Sequence, residues 1–236
     1  MLKPVRPFAM IAAVLTLSAC MPHMTPTGPE QHESRSVELD QSERVRVELR
    51  MPAGELNVRG GARKLMDGDF TYDVAAWKPD LRYRSAAGAG DLTIEQRGAT
   101  SAVGNTKNRW DLRLNDSVPL DVRVEFGAGE ARLNLGSLSL RSVDVEMGAG
   151  TLHLDLRGAP LKDYSVRIRG GVGEATVHLP KEIGIAATAS GGIGDISVTG
   201  LRKSGDRHVN DAYERPGVKI RVDVQGGVGS IRLIAE

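Results

Sequence analysis

Cysteine is almost absent: the 236-residue chain holds one, Cys20, so no intrachain disulfide can form. Aromatic side chains are scarce, at 4% of residues, which excludes a core built on large rings and points to thin aliphatic layers. Net charge is missing too. The formal balance is +1, and without Lys3 and Arg6, the only charges in residues 1–19, the basic side chains fall to 29 against 30 acidic. A near-neutral chain gives no electrostatic case for nucleic acid or for a polybasic membrane surface. The apolar run Phe8–Leu17 would extend about 15 Å as a helix, too short for a hydrocarbon core of about 30 Å. The sequence also lacks a nucleophile elbow, a zinc-protease helix motif and a phosphate-binding Gly-x-x-x-x-Gly-Lys-Ser/Thr.

Glycine, by contrast, is abundant, with 28 residues, and it recurs in one phrase. Phe126–Leu156 contains Gly127-Ala128-Gly129-Glu130 and then Gly148-Ala149-Gly150-Thr151, each leading into alternating apolar and polar residues. Aligned on this glycine turn, seven segments agree: Glu55–Val58, Asp91–Ile94, Glu130–Leu133, Thr151–Leu154, Glu174–Val177, Asp195–Val198 and Ser230–Leu233. In each, the second and fourth positions are apolar and the third is polar, the period-two pattern of a strand with one buried face. Alternating runs precede the glycines as well, as in Val45–Leu49, Val122–Phe126, Val143–Met147, Val166–Ile168 and Val218–Val224. The unit is therefore strand, glycine turn, strand, connection. Gly129, Gly150, Gly173 and Gly194 lie 21, 23 and 21 residues apart, a repeat too small to bury its apolar side alone. The expected fold is all-β: stacked, glycine-punctuated strand repeats in a solenoid-like array.

The interruptions of the repeat carry their own information. Phe70, Tyr72, Trp77 and Trp110 cluster early in the chain and are expected to cap the amino-terminal end of the stack. Residues 98–108 read as a polar surface loop. Residues 200–217 lack strand alternation and form the candidate interaction loop, with Arg202, Arg207, His208, Asp211, Tyr213 and Arg215 as its contact residues.

Chemistry-bearing constellations are weak. Every Gly-x-Gly leads into a strand, so none offers the helix N-terminus that a phosphate site needs. The column Glu55, Asp91, Glu130, Thr151, Glu174, Asp195 and Ser230 shares a short oxygen acceptor after the glycine, and turn capping is favoured over a calcium ladder. His153 and His178 fall in different columns and do not make a metal site. No catalytic residue and no cofactor is expected.

At the amino terminus, Lys3 and Arg6 precede the apolar run, and Leu17-Ser18-Ala19-Cys20 resembles a bacterial lipobox. The resemblance implies cleavage after residue 19, acylation of Cys20, and membrane attachment through the acyl chains, with Met21 after the cysteine favouring the outer membrane. Residues 20–36 read as the acylated cysteine and a disordered, Pro-rich tether. Residues 37–236 read as one repeat domain, with a capping portion at about 37–115 and regular repeats at about 116–236.

Taken together, Trp110–Asn115 with Val118–Val122, Phe126–Glu130, Met147–Gly150, Gly170–Glu174 with Leu179-Pro180, Gly191–Asp195 and Gly226–Gly229 resemble the bacterial toastrack family. That family is related to the β domain of LiaF-type envelope-stress regulators and to adhesin families. The resemblance implies a stacked β fold in the cell envelope and carries over no catalytic residue. The expected role is a non-catalytic scaffold presented to an envelope protein or polymer. The alternative is a carbohydrate-binding or carbohydrate-active protein using exposed acidic positions with Trp110 or Tyr213.

Overall fold

The computed structural model describes residues 27–97 and 106–236. The expected signal segment, Cys20 and most of the polar loop at 98–108 lie outside the described residues. Five long strands carry the architecture: β2 (Arg44–Ala62), β7 (Leu120–Asn134), β8 (Leu140–Asp155), β9 (Tyr164–Leu179) and β14 (Lys219–Ala235). A sixth, broken strand is made of β10 (Gly184–Ile193) and β11 (Ile196–Thr199). These six lines run parallel and in register, so that Gly54 lies beside Gly129, Gly129 beside Gly150, and Gly150 beside Gly173.

Each long strand bends at its glycine, and the bend shifts the alternation. Strict period two would bury every second residue, yet the step across the corner is five, from Met51 to Leu56, Phe126 to Ala131 and Met147 to Leu152. The slip turns the apolar face of the second arm back toward that of the first, and both arms contribute to one core. The glycine that makes the slip has φ between +122° and +139° in all six lines. A Cβ at Gly129, Gly150, Gly173, Gly229 or Gly194 would lie closer than 3.0 Å to the carbonyl oxygen of the glycine one rung below. Glycine is required there twice over, by backbone conformation and by the closeness of the next rung.

That ladder also reads out the stacking order, which is not the sequence order. It runs Gly54, Gly129, Gly150, Gly173, Gly229, Gly194. The last strand, β14, inserts between β9 and β10, pairing in parallel with both.

At the amino-terminal end the parallel stack gives way to antiparallel strands. The first arm of β2 is covered by β5 (Ala89–Gln96) and then β4 (Pro79–Ala86); the second arm by β6 (Asn108–Asn115), β3 (Met66–Tyr72) and β1 (Gln31–Val37). As expected of a cap, Phe70, Tyr72, Trp77 and Trp110 are buried here, with Phe70 edge-on to Trp110 at 5.6 Å between ring centroids. Two boundaries differ from the sequence reading. Residues 31–36, expected in the tether, belong to a strand paired along its length with β3. The rung β2, expected within the capping portion, matches β7 residue for residue through the corner.

Buried asparagines, which the repeat pattern does not announce, fasten the connections. Asn115 donates to the carbonyls of Ala62 at 3.1 Å and Lys64 at 3.2 Å, while its side-chain oxygen accepts from the Ser117 amide at 2.9 Å. Asn210 does the same at the other end, donating to Lys181 and Ile183 carbonyls and accepting from the Ile185 amide at 2.9 Å. Each binds loop backbone groups that would otherwise be buried without partners.

Candidate interaction surface

The acidic column is real in space, with one exception. Glu55, Glu130, Thr151, Glu174 and Ser230 lie side by side on adjacent rungs, with Asp195 on the last. Asp91 does not belong to it. The tight turn before it is Ala87-Gly88, with φ of +50° and +74°, joining β4 to β5 as a two-residue hairpin. Asp91 therefore sits in a strand, opposite Arg84 and beside Arg46.

The rungs pair in register on both sides of each corner. The carboxylates of the column meet basic neighbours: Glu55 to Arg109 at 3.7 Å, Glu130 to Arg132 and to His153 at 3.5 Å, Glu174 to Arg232 at 3.1 Å. The Ser230 hydroxyl is buried without a hydrogen-bond partner. Among the described residues no three His, Cys, Asp or Glu side chains converge as metal ligands.

The outer face of the first arm is a lattice of shared charges. Arg50 meets Glu48 at 2.7 Å, Glu125 at 3.3 Å and Glu95 at 3.4 Å. One rung on, Arg123 meets Glu125 at 3.0 Å and Glu146 at 3.4 Å, and Arg169 meets Glu146 at 3.6 Å. A groove of about 780 Å³ runs along this face beside the corner. Its floor is the nearly side-chain-free backbone of Pro52, Gly127, Gly148 and Gly171, and Arg50, Glu125, Glu146 and Arg169 stand along it. The lattice holds its charges fixed. A hydrogen bond from Arg97 keeps the Glu95 carboxyl below its usual range, against the opposing effect of desolvation, with Arg82 and Arg50 adding to it. Such a carboxylate is a poor proton donor near neutral pH.

The candidate interaction loop is an ordered cap. Its residues form a hairpin of β12 (Arg202–Ser204) and β13 (Arg207–Val209), and a 3₁₀ turn at Asp211–Glu214 follows. Strand β13 pairs with Ala186 and Ala187 and so covers the start of the last rung. Arg202 reaches Glu214 and Asp211, bringing two of the expected contact residues together. Lys219 lies 5.0 Å over the Tyr213 ring and donates to the Arg215 carbonyl at 2.6 Å. Arg207 and His208 are held apart from these on β13; Arg207 pairs with Asp206 at 3.6 Å, and the Nδ1 of His208 is buried. Trp110 is wholly buried against Phe70 and is not available to line a sugar groove.

One feature escapes a search for glycines. In the first three rungs the corner reads Met51-Pro-Ala-Gly54, Phe126-Gly-Ala-Gly129 and Met147-Gly-Ala-Gly150, with a large side chain inside and alanine outside. In the last three it reads Gly170-Gly-Val-Gly173, Gly226-Gly-Val-Gly229 and Gly191-Gly-Ile-Gly194. There the inner position has no side chain of its own; Ile231 reaches toward it at Gly226, and a cavity of about 30 Å³ remains, lined by Met147, Ile168, Val224 and Ile231. The apolar bulk has moved outside: Val172, Val228 and Ile193 are 56%, 47% and 73% exposed.

The family model described as "N-terminal domain of toast_rack, DUF2154" matches residues 26–178. This chain belongs to the toast-rack family. The matched residues run from just before β1 to the second arm of β9; of the toast-rack chain's remaining strands, β14 and β10–β11 complete the stack beyond them. The toast-rack chain is also similar to the crystal structure of a "putative cell adhesion protein" from Clostridium sporogenes. The two are 33% identical with a TM-score of 0.85, over 88% of this chain and 100% of that one. A "putative adhesin" from Bacteroides fragilis matches at 10% identity over 88% of this chain and 99% of that one, with a TM-score of 0.35, too loose to carry an argument. No curated protein matches the toast-rack chain.

Proposed function

We propose that this toast-rack chain is a non-catalytic, adhesin-like protein of the cell envelope, tethered to the membrane by acylation of Cys20 and offering its rigid stack to another envelope protein or polymer. The observation that carries the reading is the outer groove of the first arm, with its bare glycine floor and neutral lattice of fixed charges. A shallow channel edged by fixed charges of both signs fits an uncharged, extended partner lying along the stack better than a polyanion, which the alternating signs would repel as often as attract. The name of the Clostridium sporogenes relative, at 33% identity, supports the adhesion reading. The lipobox-like Leu17–Cys20 supports lipid attachment, most simply at the outer membrane. In that setting residues 21–30 would be the tether.

Photo-crosslinking from position 125 in intact cells tests the groove. One envelope component should be captured from there and lost when Glu146→Lys is added. Recovery of nothing above background would sink the groove as a binding surface. The anchor is tested separately by Cys20→Ser, which should abolish fatty-acid labelling and release the chain from membranes.

A further inference from the structure

The sheet ends in four edges, and three of them are defended. Strand β1 carries His32, Glu33 and Arg35; β4 carries Asp80, Arg82 and Arg84; β12 carries Arg202 and Lys203. Charged residues on an edge make pairing with another chain costly, because the strand cannot be approached without desolvating them. The fourth edge is the free side of the last rung. The hairpin stops at Ala186–Ala187, and beyond it β10 and β11 pair with β14 alone. From Thr188 to Thr199 this edge holds a single charge, Asp195, and its second arm reads Ile196-Ser-Val-Thr199.

The direction of the free groups follows from the ladder. The Asp195 amide donates to the Gly229 carbonyl at 3.2 Å, and its carbonyl accepts from the Ile231 amide at 2.9 Å. Backbone groups in a strand alternate sides, so the N–H and C=O of Ile196 and of Val198 face outward. Beside them Ile193 is 73% and Ile196 43% exposed, and the corner glycines 191, 192 and 194 put no side chain in the way of an approaching backbone. Large apolar residues stand outside the corner in the three rungs next to this edge, where the other three carry alanine.

We propose that this edge is a self-association surface, on which two copies of the chain pair antiparallel through residues 188–199. A two-fold axis through the corner would lay the first arm of one copy along the second arm of the other. Charge matching selects the occupant: a second copy's β1, β4 or β12 would press charges against an uncharged strand, whereas its own β10–β11 edge meets like with like. The pairing satisfies the outward amides and carbonyls. It also covers Ile193 and Ile196, and it places the amino-terminal strands at the two far ends of the dimer.

Sedimentation of the full chain in density-matched detergent tests this. The wild-type chain should run as a dimer. Ile193→Lys, at a position too exposed to harm the fold, sets two like charges near the axis and should give a monomer. Ile196→Pro removes an outward N–H that β14 does not use, and should also give a monomer with an unchanged circular dichroism spectrum. A monomeric wild-type chain would overturn the proposal, including one that instead captures an extended peptide on this edge. So would a dimer that survives both folded variants, since its interface would lie elsewhere.

Discussion

The two halves of the corner teach opposite uses of the same phrase. In β2, β7 and β8 the glycines exist so that the backbone can bend and the rungs can touch, while Met51, Phe126 and Met147 fill the angle behind them. In β9, β14 and β10 a further glycine replaces the filler. Gly170 and Gly191 do not have positive φ, and a Cβ there would meet nothing nearer than 4.0 and 3.7 Å. These two glycines are not needed by the backbone. The first half spends its apolar residues on packing, and the second half displays them.

The comparison is tested most sharply by emptying the packed half. Phe126→Ala should cost about 4 kcal/mol, because it removes the largest filler from a close-packed angle. Urea denaturation measures it, and a loss under about 1 kcal/mol would mean that the corner was never close-packed. Next, Gly150→Ala should cost about 3 kcal/mol, from a φ of +127° together with the approach of the Gly129 carbonyl. The matching change in the displayed half, Gly170→Ala, should be neutral or stabilising by about 0.5–1 kcal/mol, since the conformation is open to alanine and a cavity lies beside it. Equal losses at 150 and 170 would erase the distinction between the halves.

Much of this was legible in the sequence, for physical reasons that can be named. Period-two runs such as Val143–Met147 can bury one face only as strands, and the corner glycines had to serve a close approach because alanine or valine, not a ligand motif, stands between them. The aromatic cap followed from position: Phe70, Tyr72, Trp77 and Trp110 cluster where the glycine repeat is interrupted, at the end of the array that needs closing. Three things were not legible. The stacking order was hidden because every rung presents the same pattern to its neighbours, so nothing local forbids β14 from inserting before β10. The ionic partners of the Glu55 column were hidden because Arg109, His153 and Arg232 come from neighbouring strands, which a short-range reading cannot see. Asp91 joined that column by its flanking Gly90, although its turn lies two residues earlier, at Ala87-Gly88.

The smallest effect belongs to the polar outer faces, where charges are shared and wet. Asp155 accepts hydrogen bonds from Arg157, the main cause holding its carboxyl below the usual range against desolvation; the Arg157 amide and charge add to this, and the His178 charge contributes least. Arg157 in turn reaches Glu236 at 2.6 Å, and His178 lies 2.9 Å from the same carboxylate. A carboxyl whose folded pKa is depressed adds stability above its unfolded pKa of about 3.9 and loses it as pH falls through the folded value. Asp155→Asn should therefore cost under about 1 kcal/mol at neutral pH, because the carboxylate and its partners remain partly exposed, and the gap from the wild-type chain should narrow as pH falls below the usual carboxylate range. Urea midpoints at the two pH values give both numbers. A gap that is large and the same at both would assign Asp155 to packing, and would put the outer face on the same footing as the corner.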